Sequence, residues 1–347
     1  MAISYRVSIK DIARAAGVSY STVSRALNDS PLISQLVRDN IRQIAKSMGY
    51  TPNALAQSLH SHQTNSVGLV ITTIADPFFA DIVLGVEYVA RNAGISVFLS
   101  SSNNDPEEEI QIIETFGRRR VDGVIVASSR IGPGYAERLG QIRIPVIVVN
   151  TEAQGDQNNL FSVSVNDYLG ACQAVQYLIG LGHRKIGYLG ANNRPGSNGL
   201  RLNGYQATMK KNGILVNPEW ICLNMDESPG ALSLDIAIGK ELASQILKTD
   251  VTAVFCYCDT IAAGVVAECR NTGISIPDDL SIVGFDDNTI SEIIQPPLTT
   301  VHQPKQEIGE MAMQMLMDCL SGRVVEDRLL DPYLVIRGST TTPNHND

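Results

Sequence analysis

The sequence predicts a small all-α head followed by a larger α/β core of two doubly wound parallel-sheet subdomains. Three observations predict it. The first sixty or so residues carry apolar side chains at helical spacing, punctuated by capping serines and a glycine. From Val67 onward, short apolar runs alternate with amphipathic helices, and the same rhythm restarts at Lys185. With 347 residues, 44% hydrophobic and 18% charged, the chain has the length and composition of a globular protein with a small module and a two-part body.

In the head, Ser8-Ile9-Lys10-Asp11 has the S-x-x-D form of a capping box, and Ile9, Ile12, Ala13 and Ala16 follow on one helical face. Gly17 ends this helix, Val18 continues a tight turn, and Ser19 caps a second helix with Val23, Ala26 and Leu27 inward. Tyr20, Ser21, Ser24 and Arg25 form the outward stripe. A third helix, capped at Ser34, turns Val37, Ile41, Ile44, Ala45 and Met48 to one side and closes the core. Two short helices joined by a glycine turn make a helix-turn-helix, whose second helix enters the DNA major groove with its N-terminal residues facing base edges. Tyr20, Ser21 and Arg25 are the candidate readers. A bidentate Arg25 contact to guanine gives about 1–3 kcal/mol of discrimination, whereas Ser21 is a permissive reader. A solvated polar face on an ordinary helical hairpin is the competing account of the same stripe.

Thr51 can cap, and Pro52 can begin, a fourth helix that runs to Leu59. It is shorter than the ~12–15 residues that hold alone in water, so it folds only when something packs against it. Its small residues suit pairing with a symmetry mate, and Leu59 suits prying open a minor-groove step. A helical interdomain linker explains these residues equally well.

The core begins with VGLVITTI at 67–74, a helix over Phe79–Arg91, SVFLSSS, a helix over Pro106–Arg119, DGVIVASS and PVIVVN. The second half runs from KIGYLG at 185–190 through helices over Leu200–Asn212 and Ala231–Leu247, then AVFCYC, a helix over Ile261–Asn271, and LSIVGFDD. In open parallel sheets, ligands bind beyond the carboxyl ends of the strands, and two such sheets facing each other leave a cleft as the natural pocket. The residues just past the strands are Asp76, Asn103, Asn150, Asn192, Arg194, Asp286 and Asp287. Each alone can serve as a helix cap; as a set of amides, carboxylates and an arginine they suit a ligand rich in hydroxyls.

The net charge of −9 looks unsuited to nucleic acid, but its distribution reverses that reading. Residues 1–63 hold seven basic against three acidic side chains, a net +4, and the remainder holds 20 against 33, a net −13. A basic head on an acidic body meets phosphate at one end only. No stretch reaches the ~18 apolar residues of a membrane span, and MAISYRVSIKDIARAAG has no apolar signal segment, so the cytoplasm is expected and a membrane is not. Six scattered cysteines (Cys172, Cys222, Cys256, Cys258, Cys269, Cys319) lack a C-x2-C pair and read as small buried apolar residues. The five histidines (His60, His62, His183, His302, His345) show no metal-ligand spacing, and His183 reads as structural. Phosphate-loop, dinucleotide and nucleophile-elbow motifs are absent, which counts against an enzyme. A secreted sugar receptor would share the clamp, but the basic head counts against it.

Val7 to Asn28, VSIKDIARAAGVSYSTVSRALN, followed by GYTPNALAQSL at 49–59, resembles the head of the LacI/GalR (lactose-repressor-like) family of bacterial regulators, and the resemblance covers nearly the whole chain. It implies that Tyr20, Ser21 and Arg25 read an operator, with Ser19, Thr22, Ser24 and Asn28 as further head contacts. It implies that Pro52–Ser61 is a hinge helix, with Leu59 the intercalating leucine and Asn53 and Ala56 beside it. The core resembles a periplasmic sugar-binding protein. By that match Arg201 in LRLNGYQATM and Asp286 in VGFDD grip a small polar effector, a sugar or sugar derivative. Asn150 is a further contact, Phe78 and Phe79 in ADPFFADI meet the ring, and Arg194, Asp76, Asn103, Cys258 and Gln303 complete the expected set. Three positions depart from the family. Val37 replaces a usual threonine, Cys258 a usual asparagine before Asp259, and Lys305 an apolar residue.

The implied organisation is a head at 1–48, hinge and linker at 49–63, and a core at 64–345. Its first subdomain lies at about 64–162 and 290–323 and its second at about 163–289 and 324–345, with crossings near Ser162–Asn166, Asp287–Ser291 and Gly322–Asp327. The implied function is a nucleoid-associated transcriptional repressor under allosteric control, with no cofactor and no catalytic residue. It would bind a near-palindromic double-stranded operator as a homodimer. The tail up to Asp347 lacks the heptads of a tetramerising segment, so a dimer is expected.

Overall fold

The computed structural model describes residues 7–50, 64–127, 138, 139, 142, 144–150, 159–191, 194–225 and 232–344. The chain divides into two compact units, Met1–Thr64 and Asn65–Asp347. Among the described residues, no helix is long and apolar enough to cross a membrane.

The head packs three helices, α1 (Ile9–Ala16), α2 (Tyr20–Leu27) and α3 (Gln35–Ser47). Asp11 Oδ2 accepts both the Ser8 backbone N–H at 3.0 Å and the Ser8 hydroxyl at 2.6 Å, which fixes the start of α1. Gly17 stops it with φ at 64°, a left-handed conformation that costs least without a Cβ. Ser19 Oγ accepts from the Thr22 N–H at 3.1 Å and starts α2. Ile12, Val23, Ala26 and Ile41 are all but sealed from solvent and form the centre.

The second unit contains two six-stranded sheets. Its elements are β1 (Ser66–Ile71), α4 (Pro77–Asn92), β2 (Ser96–Ser101), α5 (Pro106–Arg118), β3 (Gly123–Ala127), β4 (Val146–Val149), β5 (Leu160–Val165), α6 (Asp167–Gly180), β6 (Ile186–Ala191), α7 (Pro195–Lys211), β7 (Ile221–Asn224), α8 (Leu232–Ile246), β8 (Ala253–Cys256), α9 (Asp259–Thr272), β9 (Ser281–Asp286), α10 (Ile290–Ile293), β10 (Thr299–His302), α11 (Lys305–Leu320), β11 (Arg328–Leu330) and β12 (Tyr333–Val335). The first sheet runs β11-β5-β4-β3-β1-β2, parallel throughout. The second runs β12-β10-β9-β8-β6-β7, with only β12 antiparallel. Alternate residues of the first sheet face opposite sides: Leu69, Ile125, Ile147 and Val163 meet α4 and α11, while Val70, Val124, Val126 and Val148 meet α5. The second sheet is covered by α8 and α9 on one face and by α6 and α7 on the other.

Helix α6 falls outside the rhythm read from sequence. Its buried face opens with Asp167 and the small residues Gly170, Ala171 and Ala174 before reaching Val175, Leu178 and Ile179, and carries little periodic signal. The subdomain boundaries also need correction. β5 remains in the first sheet to Val165, so the first crossing falls at Asn166. β10 pairs with β9 and therefore belongs to the second lobe, which moves the second crossing from Asp287–Ser291 to Gln303–Pro304. β11 pairs with β5, so the third crossing falls at 331–332 and not before Asp327. A hydrophobic pattern identifies a strand but not its neighbour, and strands this short take their sheet from pairing alone.

After the second crossing, α11 returns to the first lobe and lies along α4 with unusually close backbones. A Cβ on Gly85 would stand 2.1 Å from Gln306 O, and one on Gly309 would stand 2.1 Å from Ile82 O. Gly309→Ala must therefore push two helices apart, at a cost of at least about 1–3 kcal/mol. Gly117→Ala, with nothing within 4 Å of the added methyl, is neutral or mildly stabilising. Thermal unfolding of the two variants checks this, and equal melting temperatures would contradict the packing.

Candidate functional site

In the head, α2 presents an exposed row. Tyr20 is 55% exposed, and Ser19, Ser21, Arg25 and the C-cap residue Asn28 are also exposed, while Thr22 and Ser24 are half-buried. The Ser19 hydroxyl shares hydrogen bonds with the hydroxyls of Ser21 and Thr22, both at 2.8 Å, so Ser21 is tied to the cap as well as outward-facing. Not all of the head's basic charge is free. Arg42 binds Asp29 at 2.6 Å, and Arg38, 3.5 Å from Asp29, also donates to the Ser30 and Ile33 carbonyls. Among the described residues, Lys10, Arg25 and Lys46 have no ion-pair partner within 4.0 Å. The charge count on the sequence did not separate these two groups. The expected hinge contacts Asn53, Ala56 and Leu59 lie outside the described residues, as does Asn192.

In the second unit a narrow cavity lies between the lobes. Phe78, Phe79 and Asn150 line it from the first lobe, and Arg194, Ser197, Arg201, Tyr257 and Asp286 from the second. The strand ends aim these groups. Asn150 follows β4 at φ 63°, and Asp286 closes β9 at φ 107° with Asp287 at 52°. Such conformations are rare outside glycine and best tolerated by Asn and Asp. At the head of α4, Asp76 Oδ1 accepts the Phe78 N–H at 3.0 Å, which sets the Phe78–Phe79 pair edge to face at 5.3 Å.

On the cavity wall Arg201 is heavily engaged. Its Nε donates to Asp167 Oδ1 at 2.7 Å and its Nη1 to the Tyr257 carbonyl at 2.6 Å, with Asp286 Oδ1 3.6 Å away. Its guanidinium stacks 3.7 Å above the Phe285 ring and 4.6 Å from Tyr257. Arg194 donates to the Asp76 carboxylate, which joins the lobes through a buried ion pair. Gln303 Nε2 donates to Asp286 Oδ1 at 2.6 Å. Lys305, itself buried, donates to the Asp286 and Asp287 carbonyls, with Asp81 Oδ2 at 3.7 Å. Burial pushes the Asp286 carboxyl up to about 6 against the pull of Arg201 and Lys305. Burial raises Asp167 as well, despite its arginine, and burial with the neighbouring Asp286 holds Asp259 well above the usual carboxyl range.

The structure thus brings Phe78, Phe79, Asn150, Arg194, Arg201 and Asp286 together, with Asp76 and Gln303 behind two of them. Two expected residues are corrected. Asn103 points outward, because the turn after β2 places Asn103 and Asn104 successively at φ 50° and 62° and buries only Asn104. Cys258 lies behind the wall, with its thiol 3.0 Å from the Thr260 hydroxyl. Ser197 and Tyr257 were missed. Ser197 stands four residues before Arg201 on the same helical face, and Tyr257 directly follows β8, so both carried a signal. His183 is structural, bridging the Thr252 hydroxyl at 2.8 Å and the Thr341 carbonyl at 2.9 Å. Among the described residues, no cluster of His, Cys, Asp and Glu could hold a metal ion.

Residues 8–53 match the model of bacterial regulatory proteins of the lacI family, and residues 175–340 match a periplasmic binding protein-like domain. The HTH-type transcriptional repressor CytR of Escherichia coli (strain K12) is 32% identical over 337 residues, covering 96% of each chain. The chain belongs to the lacI family of bacterial regulatory proteins. Two solved structures of lacI-type proteins resemble it along most of its length. The lac repressor dimer bound to operator and the anti-inducer ONPF covers 97% of this chain and 100% of its own, with a TM-score of 0.86 and 26% identity. A LacI family regulator from Enterococcus faecium with bound ribose covers 80% of this chain and 99% of its own, with a TM-score of 0.68 and 26% identity. In this lacI-family chain the helical head and the two-lobed core are therefore parts of a transcriptional regulator, and not of an enzyme.

The raised Asp286 carboxyl makes stability depend on pH. An unfolded carboxyl releases its proton near 3.8 and the folded one near 6, so the folded chain binds the extra proton between those values. This group's share of stability, on the order of 3 kcal/mol, is present below pH 4 and lost as pH rises through 6. Asp286→Asn should stay flatter than the parent when urea midpoints at pH 5 and pH 8 are compared. Parallel behaviour would contradict the assigned environment.

Proposed function

We propose that the protein is a sequence-specific transcriptional repressor. Two copies would place α2 in adjacent major grooves of a near-palindromic operator, while the interlobe cavity binds a small polar effector, a sugar or sugar derivative. The observation that carries this reading is the pairing, in one lacI-family chain, of an exposed reading row at Tyr20, Ser21 and Arg25 with a cavity lined by Phe78, Phe79, Arg201 and Asp286. Arg25, with its charge uncommitted, would contact a guanine edge, and Ser21 an adjacent base or phosphate. Lys10 and Lys46 would supply the salt-sensitive phosphate attraction. In the cavity, the aromatic pair would cover a ring face, and Asp286 and Asn150 would accept ligand hydroxyls. The occurrence of ribose in the E. faecium relative supports this ligand class.

Effector binding would act through the three crossing segments, which let the lobes rotate about one another and so reset how the first lobes of two subunits pack. The shift in operator affinity cannot exceed the ratio of effector affinities for the two lobe arrangements. The place of action would be the cytoplasm, on the nucleoid.

Two measurements test the reading. In a gel-shift series on DNA from the regulator's own upstream region, Arg25→Ala should lose about 1–3 kcal/mol of discrimination at one base pair, with its salt dependence little changed. Unaltered base preference would place the reading face elsewhere. Light scattering of the purified chain should give a dimer mass, and a stable tetramer would refute the assembly.

A further inference from the structure

Inside the cavity every described charged group is already paired. Arg194 is matched by Asp76, Arg201 by Asp167 with Asp286 beyond it, and Lys305 by Asp81 and two backbone carbonyls. Of the other buried carboxyls here, Asp259 is bound by the Thr300 hydroxyl at 2.5 Å and the Asn288 N–H at 2.7 Å, with burial raising it well above the usual carboxyl range, and Asp235 accepts the Thr260 hydroxyl at 3.0 Å. Among the described residues, no cation is left over for an anionic ligand. What is left over is one donor and one acceptor. Two buried atoms lack a hydrogen-bond partner on the cavity wall: the Arg194 Nε donor and the Asn150 Oδ1 acceptor. A hydroxyl can satisfy either, accepting from the first or donating to the second, whereas a phosphate oxygen or a carboxylate can only accept. An anion placed here would sit in a low-dielectric site beside the Asp286 carboxylate with no free counter-charge.

Resting on the reading of this cavity as the effector site, we infer that the effector is an uncharged polyhydroxylated compound, and that Asp76 is the specificity-determining residue that excludes its phosphate ester. Asp76 does this by consuming the Arg194 charge. The same side chain caps α4 through Oδ1, so Asp76→Asn keeps the cap acceptor while it frees the guanidinium.

The test is isothermal titration calorimetry on the full chain with three matched pairs: D-ribose and D-ribose 5-phosphate, D-glucose and D-glucose 6-phosphate, and uridine and its 5′-monophosphate. The expected result is that at least one neutral member binds and its ester binds at least tenfold more weakly. In Asp76→Asn that ratio should fall below threefold or invert, with circular dichroism confirming a folded protein. An ester that matches or exceeds its neutral parent on the parent protein overturns the inference, as does an unchanged ratio in Asp76→Asn. Asp286→Ala separates the two levels. If it leaves the neutral compound's binding intact, or if none of the six compounds binds the parent protein, the cavity itself has been misread.

Discussion

The constraint on which the core depends is the burial of a guanidinium at Arg201. A cation sealed from solvent needs paired charge and satisfied donors, and removing one member of such a pair typically costs about 3–5 kcal/mol. Asp167 at the start of α6, the Tyr257 carbonyl at the end of β8, the Phe285 ring and Asp286 at the end of β9 meet this need together. Four chain segments that are distant in sequence are thereby held at one point, the carboxyl edge of the second sheet. The cavity is the space left beside that point once Phe78, Phe79 and Asn150 approach from the other lobe.

From this constraint the neighbouring features follow. Asp286 must turn both toward Arg201 and toward the cavity, and it does so through a left-handed backbone that costs on the order of 1–3 kcal/mol. Gln303 and Lys305 hold that turn from the segment where the chain crosses back to the first lobe. The Lys305 departure from the apolar residue usual in the family is therefore a tie between crossing and pocket. Asp76 and Arg194 form a second link across the cleft, so charge pairing ties the lobes together as well as shaping the ligand site.

Much of this was legible in the sequence, for identifiable reasons. The helix-turn-helix could be read because its signals are local: the Ser8–Asp11 box, Gly17 and the Ser19 cap act within one turn of the residues that carry them. The position of the cavity could be read because parallel sheets put ligands at strand ends, a rule that reached Asn150, Arg194 and Asp286 and, applied to the end of β8, reaches Tyr257 as well. What could not be read was set by long-range pairing. Whether β10 joins one sheet or the other depends on β9, and whether Asn103 or Asn104 turns inward depends on two successive left-handed residues. The commitment of Arg38 and Arg42 to Asp29 is likewise invisible to a count of charges.

The head and the core are then two devices linked by one chain, and the account requires that they share free energy. Reciprocity gives the most direct check: an effector that changes operator affinity by some factor must have its own affinity changed by the same factor when operator is bound. Effector affinity measured by calorimetry on the free protein and on its operator complex should differ by that factor, at least fivefold, matching the shift in operator affinity seen by fluorescence anisotropy with and without effector. Identical effector affinity in the two states would show that the cavity does not speak to the DNA-binding head, and would contradict the account.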